Sequence, residues 1–123
     1  MRFVCSFFSF LVFFSGCTRS TQDTNSIEPL NKRLQDAAAL SNTQERDDSL
    51  KVVALEAAEA GNAAVVKKAI AGIKTITTID QAASECALKL AHAGQRDVAE
   101  EVAKMISTAT GRDSILKKLS HME

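Results

Sequence analysis

The sequence predicts an all-α fold: a short stack of antiparallel helix hairpins, an α-α superhelix with a period near 33, behind an apolar N-terminus and a polar tether. Three observations predict it. From Ile27 onward no stretch alternates apolar and polar residues over the ~4–8 positions of a half-buried strand, whereas apolar spacings of three and four recur. Shifting the chain by 33 lays residues 46–78 on 79–111 with ten identical pairs, among them Asp47/Asp80, Gly61/Gly94, Ile73/Ile106 and Thr75/Thr108. Finally, all six Phe fall at positions 3, 7, 8, 10, 13 and 14, and the 123 residues contain no Trp or Tyr. The N-terminus and the rest of the chain are therefore different materials.

The N-terminal element reads as a targeting segment. After Met1-Arg2, the run Phe3 to Phe14 is interrupted only by Cys5, Ser6 and Ser9. A membrane-spanning helix needs ~20 apolar residues, whereas the apolar region of a secretory signal needs only ~7–15 and ends in small residues. Here those are Ser15 and Gly16, directly before Cys17. This Phe14-Ser15-Gly16-Cys17 arrangement resembles a bacterial lipoprotein signal, and the resemblance covers residues 1–17. It implies a signal peptide of residues 1–16, acylation of Cys17, and attachment of the protein to a lipid bilayer through that residue. Thr18, where an Asp would mark inner-membrane retention, implies the periplasmic face of the outer membrane. An ordinary secretory signal cleaved after Cys17, or an uncleaved anchor, are the competing readings.

Residues 17–26 follow as a tether. Thr18 to Ser26 contains no apolar residue, and such composition cannot offset the entropy of ordering. The helical repeat domain is expected over 27–123, with repeats at 46–78 and 79–111 and a partial repeat at 112–123 opening on Arg112-Asp113. A helix over 28–41, with Leu30, Leu34, Ala37 and Ala38 on one face, should close one end. In each repeat an Asp lies near the start of the first helix, Asp80 as the cap of its own, with Asn42 and Glu45 forming a capping box for an earlier start in the first copy. Ala60-Gly61 and Ala93-Gly94 stop these helices, glycine being the residue that adopts the left-handed cap without penalty. Second helices should run over about 62–74 and 95–107, with inward stripes Val65, Val66, Ala69, Ile70, Ile73 and Val98, Val102, Met105, Ile106. Gly72 implies close helix packing, and Ile115, Leu116 and Leu119 should close the far end.

Small residues at Ala54, Ala87, Gly61, Gly94 and Ala99 make the pattern of residues 46–123 similar to degenerate tetratricopeptide repeats. Other helix-pair repeats share the period. The resemblance implies a module that binds protein.

Chemistry is sparse. No HExxH, paired CxxC, GxSxG or GxxxxGK[ST] string occurs, and His92 and His121 stand 29 apart, so no catalytic residue, cofactor or metal ligand is expected. Cys86 sits on an apolar stripe and reads as packing. Beyond the signal, 14 Lys+Arg face 15 Asp+Glu and no aromatic ring remains except two histidines, which removes nucleic acid and stacked sugars as ligands and gives no sign of a small-molecule substrate. Opposite charges 33 apart, Glu56/Lys89, Lys67/Glu100, Lys68/Glu101 and Glu85/Lys118, predict ladders between repeats. The first-helix positions left outside those ladders include Lys51, Glu59, Gln81, Ser84 and His92. Of these, Gln81, Ser84 and His92 are the candidate partner-binding residues. The expected function is that of a non-enzymatic, membrane-anchored envelope lipoprotein binding a protein partner, or of a passive structural subunit in an envelope complex.

Overall fold

The structure, a computed structural model, describes residues 29–122, and the signal and tether expected over residues 1–26 lie outside them. Six helices make up the described residues, with no strand among them. Helix α1 covers 29–38. It is followed by α2 (Thr43–Glu59), α3 (Ala63–Gly72), α4 (Ile76–His92), α5 (Arg96–Ala103) and α6 (Ala109–His121). The first helices begin at Thr43, Ile76 and Ala109, in steps of 33, so the period in the sequence is the period of the fold. Each expected frame, 46–78 and 79–111, opens within the first turn of its helix.

Two tight turns make the hairpins. Gly61 and Gly94 take φ of 72° and 83°, the only positive values among the described residues. At the first turn the Asn62 N–H reaches the Ala57 carbonyl (2.8 Å) and the Gly61 N–H reaches Ala58 (3.1 Å). Gln95 to Leu90 (2.9 Å) and Gly94 to Ala91 (3.0 Å) repeat the pattern, the paired bonds that satisfy the last carbonyls of a helix. Asn62 then caps α3 by accepting from the Val65 N–H at 3.3 Å. Gln95, in the equivalent place, instead donates from Nε2 to the Gly61 carbonyl at 3.0 Å and ties the second turn to the first.

Packing follows the hairpin plan. α2 lies on α3 and α4 on α5, while α2, α4 and α6 stack in succession and α3 also touches α4. The core is ring-free. Its largest members are Leu50, Ile70, Leu90, Ile106 and Leu119, each contributing about 1.5–3 kcal/mol on burial. Between them lie fully buried alanines, Ala54, Ala57 and Ala58 on α2 and Ala82, Ala83 and Ala87 on α4. Side chains this small let helix axes approach at the short end of the ~8–10 Å range. Gly72 serves the same purpose, since a Cβ there would meet Leu50 Cδ1 at 3.0 Å.

The inward stripes are buried as expected at Val65, Val66, Ala69, Ile70, Ile73, Val102 and Ile106, with Val98 and Met105 half-buried. Leu30 and Ala37 close one end and Ile115 and Leu119 the other. Ala38 is exposed, contrary to expectation. The rotation of α1 is set by Leu30, Leu34 and Ala37, and a methyl group has too little area to compete.

Three further expectations are corrected. The second helices are shorter than read from sequence, ending at Gly72 and Ala103, with Ile73 and Ile106 buried in the loops that follow. Asp80 does not cap its own helix, because α4 begins four residues earlier, at Ile76. The charge ladders form with another offset. The observed pairs include Lys67 with Glu101 and Lys51 with Glu85, each one position beyond the period, and Lys89 with Glu59, a turn short of it. Long side chains crossing between stacked helices reach a neighbour one position up or a turn down, so strict equivalence does not select the partner.

Candidate functional site

The candidate site is the surface shared by α2 and α4, and the pairs that cross it fix its shape. Lys51 of α2 approaches Gln81 Oε1 at 3.2 Å and Glu85 Oε1 at 3.4 Å, both on α4. At the other end of the same interface Lys89 binds Glu59, which holds the Lys89 ammonium above its ordinary pKa through that hydrogen bond. Lys51 and Glu59, expected to be left over, are thus paired within the fold.

Gln81, Ser84 and His92 all lie on α4. Spacings of three and eight keep them within an arc of roughly 80° on one side of the helix. Gln81 is exposed and accepts from Lys51. Ser84 is half-buried and donates from Oγ to the Asp80 carbonyl one turn back, at 2.6 Å. His92 is exposed in the last turn of α4, beside Lys89, where cations are favoured. The structure therefore brings the three to one side of one helix, with two of them already engaged in the fold. Cys17 lies outside the described residues.

Two carboxylates form the most organised polar feature. Asp47 is buried on α2, and its oxygens accept from the Lys74 N–H (3.1 Å) and the Thr75 N–H (2.8 Å). Asp80, one period on, accepts from the Ser107 N–H (2.6 Å), the Thr108 N–H (3.3 Å) and the Thr108 hydroxyl (2.9 Å). Thr75 and Thr108 are the N-caps of α4 and α6, and neither makes a capping bond with its own side chain. The first helix of each unit thus caps the first helix of the next, across the whole hairpin between them. Burial pushes the Asp47 carboxyl up, but bonds from Thr75 and Lys74 and the charge of Arg46 outweigh it, so the pKa is lowered. Asp80 follows the same balance, with burial opposed by the Ser107 and Thr108 donors. The signal in the sequence is the recurrence of both Asp47/Asp80 and Thr75/Thr108 at the same period.

No group of three or more His, Cys, Asp or Glu side chains among the described residues is arranged to hold a metal ion. Cys86 is fully buried on α4, and burial, with Glu85 beside it, pushes its thiol up to about 12. A thiol held protonated in an apolar setting is a packing group and a poor nucleophile. No helix among the described residues is long and apolar enough to cross a membrane. No family model, no curated protein and no solved structure matches the chain.

Proposed function

We propose that this chain is a lipid-anchored protein of the bacterial cell envelope, held on the periplasmic face of the outer membrane by an acylated Cys17, and that its helical repeats bind a protein partner without catalysing a reaction. The observation that supports the reading most is the N-terminal succession of apolar run, Ser15-Gly16-Cys17 and polar Thr18–Ser26 ahead of a helical stack. The α4 side bearing Gln81, Ser84 and His92 is a mixed, nearly neutral surface, suited to recognition by shape and hydrogen bonds. Replacing Cys17 by Ser in the full chain should abolish incorporation of labelled fatty acid, and equal labelling of the variant would sink the lipoprotein reading. Replacing Gln81, Ser84 and His92 together by Ala should reduce crosslinking to the partner in intact cells by several-fold while leaving the melting temperature within a few degrees of the parent.

A second reading, a passive structural subunit of an envelope complex, is favoured by one specific observation. Gln81 and Ser84 are already bonded within the fold, to Lys51 and to the Asp80 carbonyl. Capture that is insensitive to the triple replacement would support that reading.

A further inference from the structure

The two ends of the described stack are complementary halves. Helix α1, residues 29–38, lies 34 positions ahead of α3, residues 63–72, and so holds the place of a second helix. Helix α6 begins at Ala109, one period after α4 at Ile76, and holds the place of a first helix. At one end a second helix and a first helix stand side by side with an open cleft between them. At the other, a first helix has no second helix packed behind it among the described residues.

Each half carries the chemistry of a joint left unmade among the described residues. The string Arg46-Asp47-x-x-Leu50-Lys51 of α2 recurs in α6 as Arg112-Asp113-x-x-Leu116-Lys117. In α2 this set is in use: Asp47 holds residues 74 and 75, Leu50 packs against Gly72, and Lys51 reaches Gln81 and Glu85. In α6 the same set is uncovered, with Asp113 and Lys117 exposed and Leu116 half-buried. The cleft at the opposite end, ≈ 420 Å³, is lined by residues of α1, α2 and the loop between them that include Asp36, Leu40, Val52 and Val53. Leu40 (36% exposed) and Val52 (47%) are two of the three exposed large apolar side chains among the described residues.

We propose that these halves form one interface, in which α6 of one copy seats in the α1–α2 cleft of a second copy, as α2 seats against α3 and α4 within the chain. The sequence period specifies the contacts. The Lys51–Gln81 hydrogen bond maps onto Lys117 of one copy and Asp48 of the next, a charge pair in place of a neutral partner. The bonds from residues 74 and 75 to Asp47 map onto the Ser41 and Asn42 N–H groups approaching Asp113. Charge is complementary on the larger scale as well: α6 carries three Lys+Arg against one Asp, whereas residues 29–59 carry six Asp+Glu against four Lys+Arg. Such an interface joins unlike surfaces, so copies add head to tail into a ring or a filament. The inference does not depend on the partner-binding reading, which uses the side of α4.

A photo-crosslinking amino acid in place of Val52 tests this in the full chain, mixed with an equal amount of unmodified ¹⁵N-labelled chain. Val52 is exposed, so the replacement leaves the core intact. The expected product is a crosslink to a labelled peptide within residues 112–121. Replacing Lys117 by Glu should lower the yield by ~5-fold, the range of one exposed charge pair, and adding Asp48→Lys should restore it. Crosslinks confined to residues 1–28, crosslinks only within one chain, or none to residues 112–121 would each overturn the proposal.

Discussion

Asp47 shows how one side chain can do the work of a loop. Fully buried, it meets two backbone N–H groups that begin the next unit, while the Arg46 guanidinium lies 3.9 Å away, its buried Nε making no hydrogen bond among the described residues. A carboxylate accepts at both oxygens, whereas an amide must turn a donor toward one of these N–H groups. Asp47→Asn should therefore cost about 1.5–3 kcal/mol, read by urea denaturation. Acid should act on the parent in the same sense. The folded pKa of Asp47 and of Asp80 is lowered, so the stability each contributes is complete above the unfolded value of ~3.9 and is lost as pH falls through the folded pKa. The double Asn variant should lose less stability than the parent between pH 5 and pH 2, and parallel curves for the two proteins would show that these carboxylates do not govern the acid transition.

At the scale of the helix, starts and stops obey different rules, and this decides what the sequence made legible. Stops are local. Gly61 and Gly94 end α2 and α4 through their own left-handed backbone, and two glycines at the repeat period are visible without a structure. Both Ala substitutions there should destabilise by about 1 kcal/mol from φ alone. Gly61→Ala should cost more than Gly94→Ala, because its Cβ would meet Gln95 Nε2 at 2.9 Å while the site at Gly94 is open; equal thermal shifts would show that Gln95 simply moves aside. The starts of α4 and α6 are not local. The start of α4 is capped by Asp47, far upstream of Thr75, so a reading that expects a cap just ahead of its own helix places the start at Asp80 instead. Asn42, which caps α2 by accepting from the Gln44 N–H at 3.0 Å, obeys the local rule and is legible. The apolar stripes are legible because area alone decides them. The pairing of Gln81 with Lys51 and the back-bond of Ser84 are not, because the first depends on the offset between neighbouring helices and the second on which rotamer that packing leaves open.

For the molecule as a whole, cohesion comes from small buried side chains and repeated backbone latches, with surface charge adding little. Lys67 binds Glu101 across α3 and α5, whereas Glu100 has Arg96 of its own helix at 3.6 Å. Glu101→Lys should lower the melting temperature slightly and Glu100→Lys by no more, with the difference fading as salt is raised. A larger loss from Glu100→Lys would mean that α5 is held by contacts other than these. The buried alanines of α2 and α4 work in the opposite way, because a filled core tolerates no enlargement. Ala54, Ala57, Ala83 and Ala87 are each fully buried.

The latches also decide how the fold would carry a load. Asp47 is bonded to residues 74 and 75, and Asp80 to residues 107 and 108, so each carboxylate closes a noncovalent loop around the helix hairpin between its ends. Tension applied along the chain passes through the latch and bypasses the enclosed residues until its bonds break. When one gives way, ~27 residues become extensible together, ~90 Å of chain at full extension. A protein stretched between its two ends would therefore lengthen in discrete steps, like a cable with stitched folds that tear out one at a time, with the remaining stack intact behind each tear.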